Sequence, residues 1–298
     1  MDPFATRLAQ AKLECERLRA AVTEVVLGQD EVVEQVLWAL IAGGHVLLEG
    51  NPGLGKTLLV RTLAECLELS FSRIQFTPDL MPSDITGTNV LVMGALAEGA
   101  RRFELHRGPI FGQVVLADEI NRATPKTQSA LLEAMQEHAV TIGGTRHALD
   151  EPFFVLATEN PIEMEGTYPL PEAQLDRFLL KVQVRSPSEA GMKDILAKTT
   201  GHPLPPPERV LRAAEVLELR TLCRDVMVAE PVLGYAARLV SASSPESERA
   251  TPLVRRAVRY GAGVRGAQSL VLAAKAVALL EGRGNVAFED LQLSLIHI

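Results

Sequence analysis

The sequence predicts an α/β protein, in which a three-layer αβα core built on a parallel sheet precedes a smaller all-helical domain. An apolar run at 46–48 leads into a glycine-rich loop and then a helical pattern. A second apolar run, 114–117, ends in two carboxylates, which is typical of a strand buried on both faces of a parallel sheet. Beyond residue 186 only helical spacing remains. We therefore predict a core over 1–186 and a helical domain over 187–298.

Composition narrows the class of protein. With 298 residues and a hydrophobic fraction of 47%, the chain can bury a sizeable core. A formal net charge of -7 disfavours a sequence-independent grip on a nucleic-acid backbone. The three cysteines lie far apart, without neighbours at metal-ligand spacing. Neither a signal-peptide pattern nor a membrane-length apolar run is evident, so we expect cytoplasmic localisation.

The individual elements follow from their hydrophobic spacing. Strands are predicted at 46–48, 71–76, 114–117, 153–157 and 179–184. Helices are predicted at 7–26, 32–40, 58–67, 125–135, 172–178, 209–219, 232–240, 252–260 and 266–280. A Pro-containing turn is predicted at 77–83, and a β-hairpin at 140–149. The segment 87–108 fits an inserted hairpin and a plain surface loop equally well.

The loop after the first strand fits the pattern G-x-x-x-x-G-K-[ST]. Its residues are Gly50, Asn51, Pro52, Gly53, Leu54, Gly55, Lys56 and Thr57. Glycines let successive backbone N–H groups face one anion, and the helix that continues through Leu58 adds the positive end of its dipole. Lys56 would reach the β- and γ-phosphates, and the Thr57 hydroxyl would bind Mg²⁺. The alternative is a strand-to-helix turn without a ligand.

Asp118 and Glu119 emerge where the strand at 114–117 ends. In a doubly wound sheet this edge lies beside the phosphates. We expect Asp118 to hold Mg²⁺ and Glu119 to take a proton from the attacking water. Both residues could instead merely cap the following segment.

Three further polar residues are candidates for the same chemistry. Asn160 follows the strand at 153–157 and could position the lytic water, although an Asn before Pro161 is also typical of a turn. Arg177 is either a surface salt-bridge residue or an arginine finger offered to a neighbouring subunit. Arg265 opens the last long helix and could reach a phosphate, although it could equally be a solvated arginine.

Four longer runs of sequence resemble the MoxR family of AAA+ ATPases over nearly the whole chain. They are Gly-Gly-His-Val-Leu-Leu-Glu-Gly at 43–50, Leu-Ala-Asp-Glu-Ile-Asn-Arg-Ala at 116–123, Ala-Leu-Leu-Glu-Ala-Met-Gln-Glu at 130–137 and Glu-Gly-Thr-Tyr-Pro-Leu-Pro-Glu-Ala-Gln-Leu-Asp-Arg-Phe at 165–178. One departure is Val-Arg-Gly at 264–266, where similar proteins usually have Pro-Arg-Ala.

The resemblance implies a role for each candidate. Walker A spans 50–57, Walker B comprises Asp118 and Glu119, and sensor 1 is Asn160. Arg177 would be the arginine finger, and Arg265 would be sensor 2. The segment 87–108 would be the insert in helix 2, and 187–298 would be the lid domain.

The function implied is an ATPase that binds ATP and Mg²⁺, assembles as a ring, with a hexamer expected, and remodels or activates partner proteins. Enzyme maturation or metal-cofactor insertion would be its task, with a von Willebrand factor A domain protein as companion. Two other classes stay open: a nucleic-acid motor, which the acidic charge disfavours, and a nucleotide-gated scaffold with little turnover, which Glu119 and Asn160 disfavour.

Overall fold

A five-stranded parallel sheet organises the first part of the protein. The computed structural model describes residues 3–93, 101–161, 166–201 and 205–295. Its central sheet has the strand order β2-β5-β8-β1-β9. These strands are β1 (Val46–Glu49), β2 (Phe71–Gln75), β5 (Val114–Asp118), β8 (Phe154–Glu159) and β9 (Leu180–Gln183). β1, β5 and β8 are almost wholly buried, as their continuous apolar runs predict.

Two antiparallel hairpins lie outside this sheet. The first pairs β3 (Gly87–Met93) with β4 (Arg101–Arg107), and the second pairs β6 (Ala139–Ile142) with β7 (Thr145–Ala148). For the segment 87–108 the hairpin is therefore the correct alternative. The connection at 94–100 lies outside the described residues.

The described helices cover the sheet and then dominate the rest of the chain. They are α1 (Pro3–Val25), α2 (Asp30–Ala42), α3 (Lys56–Cys66), α4 (Pro82–Thr86), α5 (Pro125–Glu137), α6 (Glu172–Leu175), α7 (Glu189–Thr199), α8 (Ala213–Asp225), α9 (Glu230–Ser243), α10 (Pro252–Ala257), α11 (Val264–Leu280) and α12 (Phe288–Leu295). None of them is long and apolar enough for a membrane span. The domain boundary at residue 186 remains a prediction.

Several sequence-based boundaries are wrong. The predicted turn at 77–83 runs into α4, which begins at Pro82, and the helix predicted at 209–219 begins and ends later, as α8. Thr124 precedes α5, and its hydroxyl lies 3.3 Å from Thr127 Oγ1 without accepting a bond from the helix backbone. Pro125 at the first helical position favours the start of that helix.

Besides α4, two helices were not predicted as separate elements. α7 buries none of its residues, and its apolar spacing is limited to Met192, Ile195 and Leu196, which is little more than one turn. It begins instead at a side-chain cap, because Ser188 Oγ accepts a hydrogen bond from the backbone N–H of Gly191 at 3.2 Å. α12 begins similarly, with Asp290 Oδ2 accepting from the backbone N–H of Ala287 at 2.8 Å.

A partly exposed cluster of polar side chains connects α8 to the core. Arg220 Nε donates to the carbonyl oxygen of Leu40 in α2 at 3.0 Å, and its Nη1 donates to Glu151 Oε2 at 3.2 Å. Glu151 also contacts His138 Nδ1, and this hydrogen bond is the main cause that lowers the pKa of Glu151 to about 2. The helical second part is thus joined to the core through charged hydrogen bonds as well as through apolar packing.

Candidate active site

The phosphate loop connects the carboxyl end of β1 to the start of α3. Gly53 and Gly55 have φ of 81° and 79°, a region that favours glycine. Gly50 is constrained differently: a Cβ there would lie 2.5 Å from the carbonyl oxygen of Val184. The loop is open to solvent, with exposed residues Asn51, Pro52, Gly53, Gly55, Thr57 and Leu58. Leu54 is partly buried. The loop can therefore receive an anion from outside.

Lys56 folds back over this loop. Its Nζ donates to the carbonyl oxygen of Gly50 at 2.5 Å. Burial lowers the pKa of Lys56, while the charges of Asp118 and Glu119 act in the opposite direction. The structure thus brings Lys56 and the carboxylates of Asp118 and Glu119 into one electrostatic neighbourhood.

Asp118 ends β5 beside the loop, and both its carboxylate oxygens are engaged. Oδ1 accepts from the hydroxyl of Thr158 at 2.7 Å, and Oδ2 accepts from Arg73 Nη2 at 2.6 Å and Nε at 3.2 Å. The Asp118 side chain is only 13% exposed, so these partners fix its orientation. Carboxylate and hydroxyl oxygens, as in Asp118 and Thr57, are donors that suit Mg²⁺.

Glu119 adopts an uncommon backbone conformation for a residue with a side chain. Its φ is 57°, in the left-handed region, and its N–H donates to Thr158 Oγ1 at 2.8 Å. Such strain persists where surroundings over-determine it, often at functional sites. Its Oε2 accepts from Gln75 Nε2 at 3.0 Å and lies 3.2 Å from Arg122 Nε. The carboxylate is therefore held by two donors.

Asn160 lies at the same edge of the sheet. It is buried and directly follows β8, whose last residue, Glu159, accepts from the backbone N–H of Gly50 at 3.1 Å. This bond places the residue after β8 level with the start of the phosphate loop. Four predicted residues, Lys56, Asp118, Glu119 and Asn160, thus converge at the carboxyl edge of the sheet.

Arg177 lies at the opposite edge. It precedes β9, whose first residue, Leu180, pairs with Val46 at the amino end of β1. The whole of β1, roughly 13 Å of strand, separates that level from the protein's own phosphate loop. Arg177 Nη1 donates to the carbonyl oxygen of Leu132 at 2.6 Å, whereas its enclosed Nε has no hydrogen-bond partner among the described residues.

A cleft of about 470 Å³ surrounds Arg177 and is lined by α5, β6 and β7. Below it, His45 fixes α5 against the sheet. His45 Nδ1 accepts from the backbone N–H of Val155 at 3.0 Å, so Nε2 carries the proton and donates to the carbonyl oxygen of Met135 at 3.2 Å. Burial lowers the pKa of His45 to about 4, which keeps this arrangement neutral.

Within the described residues, Arg265 makes no polar contact with the phosphate loop, and its proposed role at a phosphate stays a prediction. It is exposed in the first turn of α11, and no hydrogen bond or ion pair joins it to residues 50–58, all of which are described. Its neighbour Gly266 does line a cleft of about 1450 Å³, together with Gly28 and Gln29 before α2 and Arg185 after β9. The second part of the chain therefore closes one wall of a cleft that also includes the core.

Sequence reasoning missed Arg73, Gln75 and Thr158. The first two lie on one side of β2, and Gln75 is paired in register with Asp118. Polar residues at alternating positions of a strand usually indicate a solvent-facing side. Only the order of the strands, which puts β2 next to β5, reveals that these side chains reach the two carboxylates.

Comparison with known proteins gives the family. A family model described as "ATPase family associated with various cellular activities (AAA)" matches residues 45–180, and one described as "AAA lid domain" matches 250–296. Chaperone MoxR1 of Mycobacterium tuberculosis is 42% identical over 92% of this chain and 71% of its own length. Protein MoxR of Methylorubrum extorquens is 30% identical over 93% of this chain and 83% of its own length.

A solved structure supports the same family assignment. The crystal structure of a Cytophaga hutchinsonii protein described as a candidate ATPase superposes with a TM-score of 0.89 at 38% identity, over 98% of this chain and 88% of that one. The predicted fold, an α/β core with a helical lid, is confirmed, as is the ATPase class. The chain belongs to the MoxR family of AAA+ ATPases.

Proposed function

We propose that this ATPase requires Mg²⁺, works as a hexameric ring of identical subunits, and uses the energy of hydrolysis to remodel partner proteins. Lys56 and the loop backbone bind the phosphates of ATP. Thr57 and Asp118 hold Mg²⁺, which neutralises charge on the phosphates when bound. Glu119 acts as the base, and Asn160 positions the water.

One observation carries the proposal of assembly: the position of Arg177. A guanidinium at the amino edge of the sheet cannot serve a phosphate loop at the carboxyl edge of the same subunit. Arg177 lines a cleft of about 470 Å³, in which its guanidinium can meet an anion brought by a neighbour. Each site is therefore completed by the next subunit.

Mixing two inactive variants tests this proposal. Lys56→Ala removes the phosphate contact, and Arg177→Ala removes the finger. If the finger acts between subunits, random 1:1 co-assembly regenerates about a quarter of complete sites, because each needs an intact lysine and a neighbour's intact arginine. Turnover should recover to that fraction of wild type, although each variant alone hydrolyses little.

The control is Arg17→Ala, which removes an exposed arginine paired with Glu208 on the surface. Its turnover should match wild type with or without mixing. If Arg177→Ala alone, assembled as the wild type is, kept full turnover per subunit, the finger assignment would be wrong. If the mixture stayed inactive although both variants bound to each other, Arg177 would act within its own subunit.

The remodelling role rests on similarity. A relative that covers most of the chain is named a chaperone, and we propose the same kind of work here, in enzyme maturation or metal-cofactor insertion. A von Willebrand factor A domain protein is the proposed companion. Nucleotide-dependent co-purification with Glu119→Gln, which should hold ATP without hydrolysing it, would identify the partner; capture that is equal with and without ATP would argue against an ATP-driven role.

A further inference from the structure

Arg73 makes the strongest charged contact at the Walker B carboxylates. Two of its N–H groups, Nη2 at 2.6 Å and Nε at 3.2 Å, point at a single oxygen of Asp118, Oδ2. A carboxylate oxygen has two lone pairs, so these two bonds fill Oδ2. Oδ1 already accepts the Thr158 hydroxyl and has one lone pair left. The oxygen that faces Arg73 is therefore closed to any second cation.

The same guanidinium also orients Gln75. Arg73 Nη2 donates to Gln75 Oε1 at 2.6 Å, which identifies that atom as the amide oxygen and turns the NH₂ group towards Glu119. Gln75 Nε2 then donates to Glu119 Oε2 at 3.0 Å. A continuous chain of hydrogen bonds thus connects Asp118, Arg73, Gln75 and Glu119.

We propose that Arg73 is a positioning residue that acts as a resident counter-cation for Asp118 and competes with Mg²⁺ for this carboxylate. The inference rests on the proposed role of Asp118 in holding the metal. Arg73 is not itself catalytic, because it acts through Asp118 and Gln75. Its side chain is 48% exposed, so it has room to leave when Asp118 takes a metal.

The charge of Arg73 determines how strongly Asp118 attracts Mg²⁺. With Arg73 in place, Asp118 is neutralised and attracts a divalent cation less strongly. When Arg73 withdraws, Gln75 loses the contact that fixes its amide, and the hold on Glu119 weakens. Occupation of the metal position would in this way affect the base through the side chains of Arg73 and Gln75.

The test is the affinity for a fluorescent ATP analogue, measured with Mg²⁺ and with a chelator in its place. The ratio of the two dissociation constants gives the benefit that Mg²⁺ confers on nucleotide binding. In Arg73→Ala the benefit should rise about five-fold above that of wild type, because the competitor is gone. Binding in the chelator should not become tighter, because the uncompensated charge of Asp118 then faces the phosphates. Arg73→Lys keeps the charge and should restore a benefit close to wild type.

Two control variants separate Arg73 from its surroundings. Gln75→Ala leaves the ion pair with Asp118 intact, so its Mg²⁺ benefit should equal that of wild type. Arg61→Ala removes an exposed arginine that pairs with Glu65 on α3, and it should also match wild type. An unchanged benefit in Arg73→Ala, or a rise that comes only from weaker binding in the chelator, would overturn the inference.

Asp118→Asn distinguishes this inference from the proposed function. If Asp118→Asn loses the Mg²⁺ benefit while Arg73→Ala behaves as wild type, the metal site stands and only the competition fails. If Asp118→Asn keeps the full benefit, the metal assignment itself is wrong, and the inference falls with it.

Discussion

Lys56 Nζ donates to the carbonyl oxygen of Gly50, the first residue of the loop that Lys56 itself completes, across 2.5 Å. The ammonium group is thus held in place before a phosphate arrives. This contact holds the ammonium group where the β- and γ-phosphates are expected. The Lys56 side chain therefore loses little conformational entropy when ATP binds.

Replacing Lys56 with Ala should weaken ATP binding. Hydrogen bonds to charged groups contribute roughly 1.5–3 kcal/mol, which corresponds to a loss of about 10- to 100-fold in affinity. Isothermal titration with ATP measures the change. Lys126→Ala, an exposed lysine at the start of α5, should bind as wild type does. Equal affinities for wild type and Lys56→Ala would remove this lysine from the nucleotide site.

Replacing Glu119 with Gln should preserve binding and abolish turnover. The amide has nearly the same shape as the carboxylate, but it cannot take a proton from water. A positioned general base contributes roughly 100- to 10,000-fold to a rate, so release of phosphate should fall by at least about 100-fold. Glu16→Gln, on the surface of α1, is the control. Unchanged hydrolysis in Glu119→Gln would exclude the proposed base.

The neutral state of His45 predicts a pH dependence of stability. A histidine whose folded pKa is lowered from 6.5 to about 4 takes up a proton in the unfolded chain first. Acidification through that window therefore favours the unfolded state, so stability is lost as the pH falls from about 6.5 to about 4. Between pH 7.5 and pH 5 the free energy of unfolding should fall by about 2 kcal/mol from this group.

The measurement is denaturant unfolding of wild type and His45→Gln at the two pH values. The variant will be less stable at neutral pH, but its loss on acidification should be smaller by the contribution of His45. His106→Gln, on the exposed side of β4, should show the same pH dependence as wild type. If His45→Gln lost as much stability as wild type on acidification, another group would be responsible.

Gly50 should tolerate no side chain. A methyl group there would lie 2.5 Å from the Val184 carbonyl oxygen and 3.0 Å from its Cβ, so β9 and the phosphate loop would have to separate. Overpacking of this kind costs typically about 1–3 kcal/mol. Gly50→Ala should therefore lower both the thermal midpoint and ATP affinity. Gly201→Ala, where nothing lies within 4 Å of the added carbon, is the matched control and should change neither.

Features of the site could be predicted from the sequence where they are encoded in contiguous residues, and not where they depend on contacts between distant residues. The loop at 50–57 and the strand that ends at Asp118 are encoded in contiguous residues, so both were predicted in their correct places. Arg73 and Gln75 acquire meaning only from the neighbouring strand, 45 and 44 residues away in sequence, and no local pattern marks them. α7 was missed because its apolar spacing, Met192, Ile195 and Leu196, covers little more than one turn and is too short to stand out in the sequence.

Arg177 illustrates a different limit. Its place before β9 could be predicted from the sequence, yet its role there came from resemblance, because an arginine near the end of a short helix is usually a surface residue. The structure adds the register of β9 against β1. This register shows that Arg177, which precedes β9, lies at the amino edge of the sheet.

The phosphate loop and Arg177 lie at opposite edges of the sheet, and so on different surfaces of each subunit. Any contact that joins a loop to an arginine is then head-to-tail, between two different surfaces of the same chain. A row of subunits built by such contacts ends with one loop that has no arginine and one arginine that has no loop. Closure into a circle is the arrangement that leaves neither.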